Sequence, residues 1–186
     1  MRRMRPVHHV VSRRHRPTDR GGRVGGCRGG DCFMTMFADV LAGHSFFTGM
    51  AQPQLERLAA CATEAEYAAG AWMARAGAPA DTFHAVLAGR AGVEITAAGR
   101  EPLVVATVHP GEVVGWSWFV EPHEWHFDVV SLDAVRSLAI DAAALRQACR
   151  EDHELGYEIA RRLTRVVASR LESTRHQLVD VYGRPR

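Results

Sequence analysis

The spacing of apolar residues changes twice along the chain. In FADVLAGHSFFTGM (37–50), Phe37, Val40 and Leu41 recur at helical intervals, which predicts a short helix. QPQLERLAACA (52–62) repeats the pattern with Leu55, Leu58 and Ala59, and Pro53 suits a first helical turn. From Glu64 to Asp141 the segments become short and glycine-punctuated: EAEYAAG, AWMARAG, DTFHAVLAG, RAGVEITAAG, REPLVVATVHPG, EVVGWSWF, WHFDVVSL and AVRSLAID. Closely spaced short strands of this kind predict an antiparallel sandwich or barrel. Helical spacing then returns in DAAALRQACR and in a long helix from about Asp152 to Tyr182. The predicted class is α+β, with short N-terminal helices, an antiparallel β-roll or jelly-roll barrel of about eight strands, and a long C-terminal helix.

That last helix carries a second pattern. Ala160, Thr164, Val167, Leu171, Thr174, Leu178 and Val181 alternate in steps of four and three, a heptad seam flanked by charges. A helix packed only on its own sheet also needs an apolar stripe. The narrowness of this one favours dimerisation, so a homodimer through the C-terminal helix is expected.

Charge divides the chain unevenly. The net charge is +2, yet residues 1–33 hold nine arginines against Asp19 and Asp31, and the rest is therefore net acidic. The first 33 residues are rich in Gly, Arg and Pro without apolar periodicity, and are expected to be a disordered arm. Met34 and Met36 stand just before the first periodic segment and point to a start there. An arm that binds anionic polymers, or a targeting arm, are the alternatives. The domain is accordingly expected over 34–186. No run is apolar enough for a membrane span, and no apolar stretch follows the first basic residues as in a secretory signal. Four scattered cysteines do not form a disulfide framework, which points to a reducing cytoplasm. Cys27 and Cys32 are not spaced as a common zinc knuckle, and no metal site is expected.

The motifs narrow the fold. Gly70, Gly77, Asp81, Phe83, Val86, Leu87, Gly89 and Val93 resemble the string G-x6-G-x3-D-x-[FL]-x2-V-L-x-G of cyclic-nucleotide-binding domains, and Pro110-Gly111-Glu112-x-x-Gly115 resembles the start of that family's phosphate-binding cassette. Over roughly Phe46 to Asp180 the chain is similar to the effector half of a Crp/Fnr-type regulator. The resemblance implies a ligand cassette at Gly111, Glu112, Gly115, Trp116, Ser117, Trp118, Trp125 and His126. It also implies that family members binding cAMP place Glu directly after the second glycine, for the ribose, and Arg a few residues on, for the phosphate. Here those places hold Trp116 and either Trp125 or His126. Burying a cyclic phosphate without a cation is costly, so cAMP binding in the usual way is not expected. The tryptophans either stack on a different nucleotide-type ligand or fill the vacated place. If 112–119 stays extended, Trp116 and Trp118 share a face; if it turns helical they diverge.

No nucleophile elbow, zinc-protease motif or phosphate-binding loop is present, and no enzyme is expected. The cluster of His109, His123 and His126 with Glu112, Glu121, Glu124 and Asp128 reads as solvated loop side chains. The favoured function is a non-enzymatic regulatory or ligand-sensing module. The alternatives are an accessory subunit docked on a partner redox enzyme, or a Crp/Fnr-like regulator lacking its DNA-binding part. No helix-turn-helix pattern follows the long helix, so sequence-specific DNA binding is not expected.

Overall fold

The computed structural model describes the backbone of residues 29–96 and 101–182, and side chains for 34–96 and 101–176. Helix α1 (Gly29–Ala42) leads through a 3-10 turn (Ser45–Phe47) to α2 (Gln52–Ala60). The strands are β1 (Ala62–Tyr67), β2 (Trp72–Ala74), β3 (Thr82–Ala88), β4 (Ala91–Ile95), β5 (Leu103–Val108), β6 (Val113–Val114), β7 (Asp128–Ser131) and β8 (Val135–Asp141); α3 (Ala142–Glu151) and α4 (His153–Tyr182) close the fold. The strands form two antiparallel four-stranded sheets, ordered β1-β8-β3-β6 and β2-β7-β4-β5. This is the α+β roll that the spacing predicts. Among the described residues, no helix is long and apolar enough to cross a membrane.

Two boundaries differ from expectation. Helix α1 begins at Gly29, inside the segment expected to be an arm, because no proline between 29 and 42 stops the hydrogen-bond ladder from propagating backward. The readings of residues 1–28 fall outside the described residues. The segment predicted as one strand over 112–119 is extended only at Val113 and Val114. Gly115 takes φ +96°, and the chain then turns, with the Phe119 amide donating to the Trp116 carbonyl at 3.0 Å.

Helix ends follow local chemistry. The Asp141 carboxylate accepts from the Ala144 amide at 2.7 Å to start α3, and Asp152 accepts from the Leu155 amide at 3.0 Å to start α4. Gly156 lets these helices approach, since a Cβ there would lie 2.9 Å from the Cys149 carbonyl oxygen. Gly89 is a comparable case: it has φ +78°, and a Cβ would meet the Ala134 carbonyl oxygen at 2.1 Å.

Inside the first sheet, strand β3 buries His84, whose Nδ1 lies 3.3 Å from Ser137 Oγ and whose ring meets Tyr67 edge-on at 5.7 Å. Burial pushes its pKa down to about 4, although the negative charge of Asp81 acts in the other direction. Burial likewise lowers the pKa of His44. A depressed histidine pKa means that the unfolded chain takes up a proton the folded chain refuses. Its contribution is therefore present above pH 6.5 and lost as pH falls toward 4. Over that window His84 should remove roughly 3 kcal/mol of stability. Urea unfolding followed from neutral to mildly acidic pH should show this decline, and His84→Gln should flatten part of it.

Candidate functional site

The sequence-predicted cassette is built on a tight turn. Pro110 precedes Gly111, which has φ +88°, and the Glu112 amide donates to the His109 carbonyl at 3.0 Å, the arrangement of a type II turn. The Glu112 side chain accepts from the His109 amide at 2.6 Å. Gly111 N and Glu112 O both bond to Val86 of β3, at 2.9 and 3.0 Å, which ties the turn to the sheet. A Cβ on Gly111 would press on Ser45 Oγ at 2.9 Å, so the N-terminal 3-10 turn packs directly against the cassette.

Beyond Gly115 the three tryptophans separate. Trp125 is held by its own backbone: its amide donates to the Ala78 carbonyl and its carbonyl accepts from the Gly77 amide, both at 2.8 Å. Its ring is buried, and a Cβ on Gly115 would come 2.6 Å from Trp125 Cη2. Trp116 is half-buried and meets the His126 ring at 4.6 Å and Phe127 at 6.4 Å. Trp118, fully buried, instead joins the core, 5.7 Å from the Phe83 ring, with Phe46 and Phe47 behind. The local turn therefore selects the diverging arrangement, in which only Trp116 and Trp125 line the cassette.

Between those two rings remains a cavity of about 20 Å³. That is room for a water molecule or so, against the ~300 Å³ or more of a small-molecule site. Ser117 is buried, and its Oγ lies 3.1 Å from His126 Nδ1 and accepts from the His126 amide at 3.3 Å. His126 itself is exposed. The acid–histidine cluster does not converge: Glu112 caps the turn, His126 faces Ser117, and Asp128 accepts from Arg75 Nε and the Ala76 amide at 3.2 and 2.9 Å.

One residue at the site escapes a sequence reading. Arg170, from α4, lines the small cavity and donates to the Val113 carbonyl at 2.7 Å. Burial pulls its pKa down, and the charge of Glu112 counters part of this. A signal existed: Leu155, Ile159, Leu163, Val166 and Arg170 follow one helical face, so a cation stands where an apolar residue is due. Arg136, by contrast, points to solvent 3.9 Å from Glu64. The seam residues Thr164, Val167, Leu171 and Thr174 are exposed and Ala160 is half-buried; the side chain of Leu178 lies outside the described residues.

Residues 64–152 match the family model of the cyclic nucleotide-binding domain. No curated protein sequence matches the chain. Among solved structures, a putative cyclic nucleotide-binding protein from Geobacter metallireducens is similar at TM-score 0.65 and 22% identity, covering 72% of this chain and 97% of that one. The sensor domain of the transcriptional regulator DNR from Pseudomonas aeruginosa is similar at TM-score 0.62 and 15% identity, covering 75% and 94%. The regulatory subunit of a cAMP-independent protein kinase A from Trypanosoma brucei is similar at TM-score 0.66 and 16% identity, covering 82% of this chain and about half, 53%, of that one. These likenesses agree with the observed fold.

The Trp125–Gly115 contact sets two expectations. Trp125→Ala should cost roughly 3–5 kcal/mol by urea unfolding. Gly115→Ala, strained both by its φ and by the ring, should cost about 1–3 kcal/mol. The two costs should be less than additive in the double variant, because the small partner removes the clash.

Proposed function

We propose that this cyclic-nucleotide-binding fold serves as a non-enzymatic regulatory module whose ligand place is filled by its own side chains, and that it acts as a homodimer through α4. The observation that carries the first half is the burial of Trp125 against Gly115, which leaves about 20 Å³ beside Trp116. A cyclic nucleotide would have to displace an indole whose backbone is hydrogen-bonded on both sides. It would then meet Arg170, which gives one terminal nitrogen to the Val113 carbonyl. The fold does not oblige a cAMP response: the Trypanosoma regulatory subunit is itself described as belonging to a cAMP-independent kinase.

The second half rests on the outer face of α4. Thr164 Oγ1 donates to the Ala160 carbonyl at 2.8 Å, and Thr174 Oγ1 to the Arg170 carbonyl at 2.9 Å. Both hydroxyls are satisfied within the helix. What the seam offers a neighbour is therefore methyl groups, together with the exposed Val167 and Leu171. A second α4 placed against this stripe buries all four at heptad spacing.

Calorimetry tests the filled site. Titration of the full chain with cAMP and cGMP should give no sub-micromolar binding, and such binding would overturn this reading. Sedimentation tests the seam. The parent should run as a dimer and Leu171→Glu as a monomer with unchanged circular dichroism. An unchanged mass in the variant, or a monomeric parent, refutes the dimer.

A further inference from the structure

A second cavity, larger than the one in the cassette, opens on the other side of the 116–120 turn. Its volume is about 350 Å³, within the usual range for small-molecule sites. The exposed Phe119 forms one wall, with the buried Trp118 ring edge-on beneath it at 5.4 Å, and α3 and α4 form the other with Cys149, where the helices cross at Gly156. Burial raises the Cys149 pKa, with the negative charge of Asp152 adding to it, so the thiol is a neutral, apolar part of the lining. The polar lining is all basic: Arg146, Arg150 and His153.

The two arginines lack counter-charges. Arg146 sends one nitrogen to the Trp118 carbonyl at 3.0 Å, and Arg150 sends Nε and a terminal nitrogen to the neutral Gln147 Oε1 at 3.2 and 2.7 Å. Neither has a carboxylate partner among the described residues. The neighbouring acids are engaged elsewhere. Glu151 accepts from Gln147 Nε2 at 2.7 Å, while Asp152 accepts from the Leu155 amide and lies 3.8 Å from Arg57.

An aromatic wall beside unpaired guanidinium groups suits one kind of occupant. We infer that this cavity is a binding site for a small amphiphilic carboxylate, whose flat apolar body packs on Phe119 and Cys149 while its anion takes Arg150 and His153. Apolar contact holds the body, and charge-assisted hydrogen bonds fix its orientation. Arg146, which donates to the Trp118 carbonyl, ties α3 to the 116–120 turn beside the site. The site is separate from the filled cassette and stands whether or not that cassette is occupied.

The full chain, labelled with ¹⁵N, is titrated with sodium 1-naphthoate and with the uncharged 1-naphthalenemethanol. Naphthoate should bind about tenfold more tightly than the alcohol. The shifted signals should centre on Trp118, Cys149, Arg150 and Gly156. Arg150→Glu, an exposed position, should weaken naphthoate about tenfold with its thermal midpoint unchanged; His153→Glu provides a second variant should the first unfold. Absence of naphthoate binding overturns the inference. So do equal affinity for the alcohol, unaltered affinity in both folded variants, and shifts centred on Trp116 and Trp125.

Discussion

Trp125 reaches the cassette backbone only because residue 115 has no side chain. At φ +96° a glycine is needed for conformation, and with an indole carbon 2.6 Å from the place of a Cβ it is needed for space as well. The rest of the site follows from this contact. The indole packs on Gly115 at the end of β6, Trp116 stands against the His126 ring, and the remaining space holds little more than a water.

The long helix is tied to the roll by two buried or half-buried arginines on one face as well as by leucines. Arg162 donates to the carbonyls of Phe46 and Thr48, the latter at 2.8 Å, and its Nε to Glu158 at 2.6 Å. Two turns on, Arg170 binds the Val113 carbonyl. Hydrogen bonds from Arg161 and Arg162, in that order, hold the Glu158 pKa below its usual value. Buried charges of this sort add specificity of position more than net stability, because desolvation offsets much of the attraction. Their geometric effect is clear: the N-terminal 3-10 turn, the cassette turn and α4 meet at one junction, where Gly111 also rests on Ser45. That junction explains why the outer stripe of α4 remains free while its inner face is spent on the roll.

The two cavities differ in how they became visible. Cassette glycines are legible because turns of positive φ restrict residue type, and the absence of an arginine beside them is legible only against the motif of the family that this stretch resembles. The basic cavity is not. Trp118, Arg146, Arg150 and His153 come from a turn and from two helices, and each is unremarkable in its own segment. Trp118 even reads as a cassette residue until the turn at Gly115 rotates it toward Phe83. Arg170 was half legible, as a charge on an apolar helical face, but its partner at Val113 lies 57 residues away.

The sequence by itself determined the order and type of the elements, the eight-stranded roll between helices, the turn glycines and the exposed heptad stripe. Each of these follows from local periodicity and backbone sterics, which neighbours in the chain impose on one another. Only the tertiary structure decided which tryptophan packs on Gly115, which one joins the core, and where Arg146 and Arg150 of α3 come beside α4. Those outcomes depend on side chains that meet across sheets and helices, and on the volume left once they have packed. Spacing along a chain does not encode such a volume.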